Sequence, residues 1–135
     1  MAVYLSNGVV LTVNSVDLSS LVSSVTINRA FDELSVTAMG DSGNRYIKGL
    51  ESSSISIDFF NDEASAKTLQ TLNSVWGTNT TVTVKQTSAA VSPTNPLYTM
   101  TCLVNNTTPI NGAVGDLSTQ SVTWNVSGVI AITTA

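Results

Sequence analysis

Between Ser54 and Phe59 the side chains alternate without exception: Ile55, Ile57 and Phe59 are apolar, and Ser54, Ser56 and Asp58 are polar. A period of two places the apolar groups on one side of an extended chain and requires a sheet with one buried and one wet face. The pattern recurs. Val9, Leu11 and Val13 alternate with Val10, Thr12 and Asn14; Leu21, Val25 and Ile27 share one parity in a strand over about 22–29. Leu34 and Val36 sit opposite Ser35 and Thr37, Val82 and Val84 opposite Thr81, Thr83 and Lys85, and Met100, Cys102 and Val104 opposite Thr99 and Thr101. The last pattern is the longest: Val122, Trp124, Val126, Ile130 and Ile132 keep one parity, and Gly128, the one break, predicts a bulge or bend. Repeated short strands predict a mainly β fold, a β-sandwich or barrel.

The connections are less uniform. Ser15 to Ser20 reads as a polar link, and Ala30-Phe31-Asp32-Glu33 is short enough to join strands two and three as a hairpin, with Phe31 a core or interface anchor. A long, charged, glycine-punctuated inter-strand loop is expected over about 40–52. Connections beyond about 12 residues tend to carry function. One flanking α-helix is expected over about 62–76, with Asp62 as N-cap, Glu63 in the first turn, Gly77 at the stop, and Ala66, Leu69, Leu72 and Trp76 on the core face. Pro93 and Pro96 make Ser88 to Asn95 a loop, and Asn105 to Leu117 is a second long connection.

A chain of 135 residues fits one domain, residues 1–135, and can bury a core without disulfide staples. Charged residues make up only 10% of it, against about 25% in ordinary domains. Its 19 serines and 19 threonines cover the surface instead, and so little charge on a soluble chain points to surfaces hidden against partners. The net charge of −4 and the scatter of Arg29, Arg45, Lys48, Lys67 and Lys85 argue against binding nucleic acid through phosphate neutralisation. Residues 1–6 lack the basic and apolar regions of a secretion leader. No apolar run approaches the roughly 20 residues of a membrane helix, so no membrane partner and a cytoplasmic site of assembly are expected.

Catalytic chemistry finds little to work with. There is no histidine and one cysteine, Cys102, on a buried parity; zinc sites and histidine-based triads lose their usual members. Asp32-Glu33 and Asp62-Glu63 are sequence neighbours at a turn and a helix start, not carboxylates facing each other across a cleft about 5 Å wide. Asp41, Asp58 and Asp116 lack the spacing of a calcium loop, and no phosphate loop, nucleophile elbow or dinucleotide fingerprint occurs. The expectation is a protein that is not an enzyme, with no cofactor and no metal.

The order of the turn and strand segments adds a resemblance. Thr37-Ala38-Met39-Gly40-Asp41, Gly49-Leu50-Glu51-Ser52 with Ser54-Ile55-Ser56, and Asn61-Asp62 are followed by Asn95-Pro96-Leu97-Tyr98, Gly112-Ala113-Val114-Gly115-Asp116-Leu117, Val122-Thr123-Trp124 and Gly128-Val129-Ile130. Over about residues 20–132 this succession resembles the major tail tube proteins of long, non-contractile-tailed bacteriophages. The resemblance implies a structural virion protein, assembled in the host cytoplasm. In that family a β-sandwich or barrel with one helix closes into rings, usually of six copies, which stack into a tube. Strands of neighbouring copies line the lumen, and the long loop reaches the adjacent ring. The implied partners are further copies of the chain and other tail proteins such as the tape measure and terminator; DNA passes through the lumen during ejection without specific binding, as an acidic wall permits. The inter-ring contact is then expected at Asp41, Asn44, Arg45, Tyr46 and Lys48. The alternatives are a β-sandwich receptor- or carbohydrate-binding module, and a tail terminator or connector ring.

Overall fold

The computed structural model describes residues 8–65 and 67–134. Residues 1–7, which include the segment read for a leader, and Ala66 of the expected helix face lie outside the described residues.

Strand β1 (Val10–Val13) turns through Asn14 and Ser15 into β2 (Val16–Asp17). Both turn residues have positive φ, 51° and 66°, the twist that lets a two-residue loop join antiparallel strands. The expected polar link is therefore partly a strand, and its Leu18 is fully buried. A 3-10 turn, Ser19–Leu21, leads to β3 (Val22–Asn28), then β4 (Phe31–Ser35), β5 (Tyr46–Glu51) and β6 (Ser54–Phe60). Helix α1 (Thr68–Ser74) precedes β7 (Asn79–Lys85), β8 (Leu97–Leu103), β9 (Thr119–Asn125) and β10 (Ala131–Thr133).

The strands form a five-stranded sheet, β10-β8-β7-β1-β2, a three-stranded sheet, β3-β6-β9, and a separate pair, β4-β5. All pairings are antiparallel. Among the described residues the larger sheets keep free edges, so the architecture is a sandwich and not a closed barrel. Leu11, Val13, Val82, Val84, Met100 and Cys102 from one sheet and Ile55, Ile57, Phe59, Val122, Trp124 and Val126 from the other share one buried cluster with Leu72 and Val75 of α1. Every one of these strand residues lies on the parity its sequence pattern assigns. Gly128, at φ 102°, is where the chain leaves the three-stranded sheet. It crosses over and pairs as β10 with β8, and Ile132 ends half exposed, so the long final pattern is two strands on different sheets.

Three expectations change. Strand β3 pairs with β6, not with β4, so Ala30–Glu33 is no hairpin turn but the point where the chain departs from the sheet. The expected loop over 40–52 is shorter, because 46–51 is itself a strand and the irregular stretch is 36–45. Helix α1 begins at Thr68 rather than Asp62 and presents Thr68, Thr71, Leu72 and Val75 inward. Thr68 can be buried because its hydroxyl donates to the carbonyl of Phe60 at 2.9 Å. Trp76 is thereby rotated out of the core and is 56% exposed. Asp62 accepts from the Ala64 amide at 2.9 Å, a turn ahead of the helix and not its cap. Among the described residues no helix is long and apolar enough to cross a membrane.

Burial sets the chemistry of Cys102. It is fully buried and desolvation of the thiolate pushes its pKa up to about 11. Relative to an ordinary thiol at pH 8 this lowers the thiolate fraction by about 10²-fold, before steric access is counted. A maleimide or disulfide reagent at pH 8 should modify the urea-unfolded chain within minutes and leave the native chain unmodified. Equal labelling rates would contradict this burial.

Candidate functional site

Strands β4 and β5 form a two-stranded ribbon attached to the sandwich only at its base. Leu34 faces Ile47 and Ser35 faces Tyr46 across the ribbon. Because side chains alternate, Leu34 and Ile47 project from one face, and Tyr46 and Lys48 from the other, while Leu50 falls in the stretch where the register slips. Every residue of β4 is exposed, and Leu50 is 81% exposed. An isolated hairpin is at best marginally stable in water, and this one leaves Phe31, Leu34, Tyr46, Ile47 and Leu50 exposed.

Local bonds hold the ribbon in shape. At its tip the Asp41 carboxylate accepts from the Ala38 amide at 2.7 Å and from Arg45 Nε at 3.0 Å. The Arg45 amide donates to Thr37 Oγ1 at 2.9 Å, and the Val36 amide to the Arg45 carbonyl at 2.9 Å. Lower down, Lys48 Nζ lies 5.4 Å from the centre of the Phe31 ring, a cation over an aromatic face. The register slips between Phe31 and Glu33, which presses Gly49 against β4. A Cβ there would lie 2.8 Å from the Asp32 carbonyl oxygen, so only glycine fits.

The base is fastened by Glu51. Its Oε2 accepts from Ser53 Oγ and from the Ile130 amide, both at 2.9 Å, tying the ribbon to the corner between β9 and β10. These bonds, that from Ile130 first, hold the Glu51 carboxyl below its ordinary pKa. A depressed carboxylate stabilises the fold above its unfolded pKa of about 4.3 and loses that contribution as pH falls through the folded value. Melting curves of the native chain and Glu51→Gln should therefore be separated near pH 6, with the variant lower, and converge below pH 4. A gap that persists at low pH would contradict a charge-dependent tether.

Of the five residues expected to make the inter-ring contact, Asp41 and Arg45 are brought together as an internal ion pair that shapes the tip. Tyr46 and Lys48 share one exposed face of β5, and Asn44 stands apart in the tip, exposed. The alternation that places Leu34 and Val36 on the buried parity of a third strand is overturned, since both are exposed and Val36 lies beyond β4; Ile47 and Leu50 belong to a segment in which neither parity is apolar.

The rest of the surface is asymmetric. The outer edge of β9 is occupied: Asn106 Nδ2 donates to the Thr123 carbonyl at 2.9 Å and Asn111 Nδ2 to that of Thr119 at 3.3 Å. Buried Gln120 links the Thr108 amide to Asn61, at 3.0 and 2.8 Å, and so docks the connection before β9. Among the described residues nothing pairs with the outer edge of β3. A cleft of about 670 Å³ runs beside it, lined by Val22, Val25, Ile27, Arg29, Val84 and Tyr98 among others. Among the described residues no group of three or more His, Cys, Asp or Glu is placed to hold a metal.

Against solved structures, the chain aligns over 97% of its length, and 99% of the other chain, with a chain in a structure described as the virion of a native gene transfer agent particle, at TM-score 0.76 and 11% identity. It has the same fold. A chain from the tail of an empty gene transfer agent particle, refined with C6 symmetry, matches over 98% of this chain and 99% of that one at TM-score 0.68 and 14% identity. A chain from a six-fold symmetrised anti-feeding prophage baseplate matches over 99% and 98%, at TM-score 0.58 and 10% identity. No family model matches the sequence, and no curated protein does.

Proposed function

We propose that residues 1–135 are one tail-tube-type domain, the repeating subunit of a phage-like tail tube. Copies close into rings of six and the rings stack into a conduit, built in the host cytoplasm and carried in the virion, through which DNA passes without specific binding. The observation that carries this reading is the β4-β5 ribbon, which is hydrogen-bonded at tip and base yet leaves Phe31, Leu34, Ile47 and Leu50 uncovered. A surface of this kind on a chain with so little charge is a contact surface. Phe31, Leu34, Ile47 and Leu50 supply the apolar contact, Asn44, Tyr46 and Lys48 its polar part, and the Asp41–Arg45 pair holds the tip in shape. The open edge of β3 and its cleft supply lateral contacts, since an unpaired edge accepts a further strand. The net charge of −4 keeps phosphates from adhering to the wall. The C6 symmetry of the empty gene transfer agent tail supports a six-fold ring here. The tape measure and terminator proteins are the further partners this reading implies.

Negative-stain microscopy of the purified protein, over a range of concentration and salt, tests it. Long hollow tubes are the expected result. Isolated rings would favour a terminator or connector, and a monomer at every concentration would overturn the reading.

A further inference from the structure

Strand β3 is an edge that lacks the usual devices against pairing. Its seven residues include no proline and no charge, and among the described residues no strand pairs with its outer side. The register with β6 shifts between Val22 and Ser24 and is regular over 24–28. Beside this edge the cleft of about 670 Å³ runs between Val25 and Ile27 on one side and Val84 and Tyr98 on the other. Gln86 lines it too, and its Nε2 is buried with no hydrogen-bond partner among the described residues. Buried donors in folded chains are paired, so whatever fills the cleft should bring an acceptor oxygen. An extended peptide brings both the apolar side chains and the carbonyls.

The chain holds such a peptide at the mouth of the cleft. Val9 is part of the lining, and a Cβ on Gly8 would lie 3.9 Å from the Gln86 carbonyl oxygen, so residues 1–7 join the body beside Gln86. No side chain in Met1-Ala2-Val3-Tyr4-Leu5-Ser6-Asn7 is charged, and Met1, Val3 and Leu5 share one parity, the pattern of a strand with one apolar face. Asn7-Gly8 is the dipeptide best suited to a tight reversal, which turns the residues before it back over Val9. Six extended residues cover about 20 Å, more than the roughly 17 Å of the regular stretch 24–28.

We propose that residues 1–6 add to β3 of their own copy as a further strand, with Val3 and Leu5 over the cleft and a backbone carbonyl accepting from Gln86 Nε2. Attachment at Gly8 keeps the segment beside the cleft at all times, whereas a strand from a second copy must arrive by diffusion. Pairing within one chain therefore wins while the protein is dilute. A neighbour's strand can reach the edge only by displacing the segment, so residues 1–6 restrain assembly until subunits are concentrated. That second step rests on the lateral role proposed above for the β3 edge; the pairing itself does not.

Hydrogen exchange read by mass spectrometry tests this on the full chain, at concentrations where analytical ultracentrifugation shows a monomer. Two variants are compared with it: Val3→Asp with Leu5→Asp, and a chain lacking residues 2–6. In both, the amides of 22–28 should exchange about tenfold faster or more, while those of β6 and β9 keep their native rates. Equal rates at 22–28 in all three proteins overturn the proposal. Faster exchange throughout β3, β6 and β9 in both variants also overturns it, because the segment would then be part of the core. So does protection of 22–28 that arises only where the native chain dimerises, since a second copy would then supply the strand. Light scattering reads the consequence, and both variants should form larger species at a several-fold lower concentration than the native chain. If exchange quickens and that threshold stays unchanged, the pairing of residues 1–6 with β3 stands and the lateral role of the edge is wrong.

Discussion

Trp124→Ala is expected to lower the melting temperature by about 10–25 °C, whereas Trp76→Ala should move it by no more than a few degrees. Trp124 is fully buried between the sheets, on the strand beside Ile55, and its indole N–H donates to the Asn106 carbonyl at 3.1 Å. Truncation removes the ring from the core and also frees the connection that covers the β9 edge. Large aromatic truncations in a core cost about 3–5 kcal/mol, a large share of the roughly 5–15 kcal/mol by which domains are stable. For a chain of this size each kcal/mol moves the midpoint by about 3–5 °C. Trp76 follows the short helix α1 and is more than half exposed, so its loss opens no cavity. Thermal denaturation followed by circular dichroism measures both. A fall at Trp76 comparable to that at Trp124 would contradict the placement of α1.

Excising residues 32–50 and joining Phe31 to Glu51 through Asn-Gly should leave a folded body that can close into isolated rings but cannot stack them into a tube. The geometry permits it, because the Ser52 amide donates to the Ala30 carbonyl at 2.7 Å and the two ends of the ribbon already meet. Asn-Gly is the pair best suited to a two-residue turn, and the join would continue the ladder of β3 and β6 as an ordinary hairpin. Glu51 is retained, so its bond to the Ile130 amide survives. Shortening the connection also slightly reduces the entropy lost on folding. The melting temperature should therefore stay within about 5 °C of the full chain, as expected for a change of about 1 kcal/mol. Light scattering should show nothing larger than a single ring under conditions where the full chain builds tubes. Tubes formed by the excised chain would remove the ribbon from the assembly mechanism, and an unfolded product would make it part of the folding unit.

The two predictions draw on residues of different legibility. Ile55, Ile57, Phe59, Val122 and Trp124 are legible as core from alternation alone, because a strand half buried against one core writes its orientation into consecutive residues. Strand β5 is not legible in the sequence for the complementary reason. Tyr46-Ile47-Lys48-Gly49-Leu50-Glu51 packs on no core of its own chain, so neither parity is apolar and the segment reads as loop. Helical spacing of the apolar residues points to the wrong face because Thr68 and Thr71 are polar in composition and buried in fact, the hydroxyl of Thr68 being satisfied by a carbonyl at the end of β6. The size of Trp76 pointed inward when its position after the helix turned it outward.

The sequence by itself determined the mainly β class, the parity of the core strands, the bend at Gly128, and the poverty of charge and catalytic groups. All are local or compositional properties. Only the tertiary structure decided that β3 pairs with β6, that the chain from 31 to 51 stands off the body as a ribbon, and that Asp41 and Arg45 bind each other. Each of these depends on which distant segments meet, and a residue's own type and its near neighbours carry no record of that meeting.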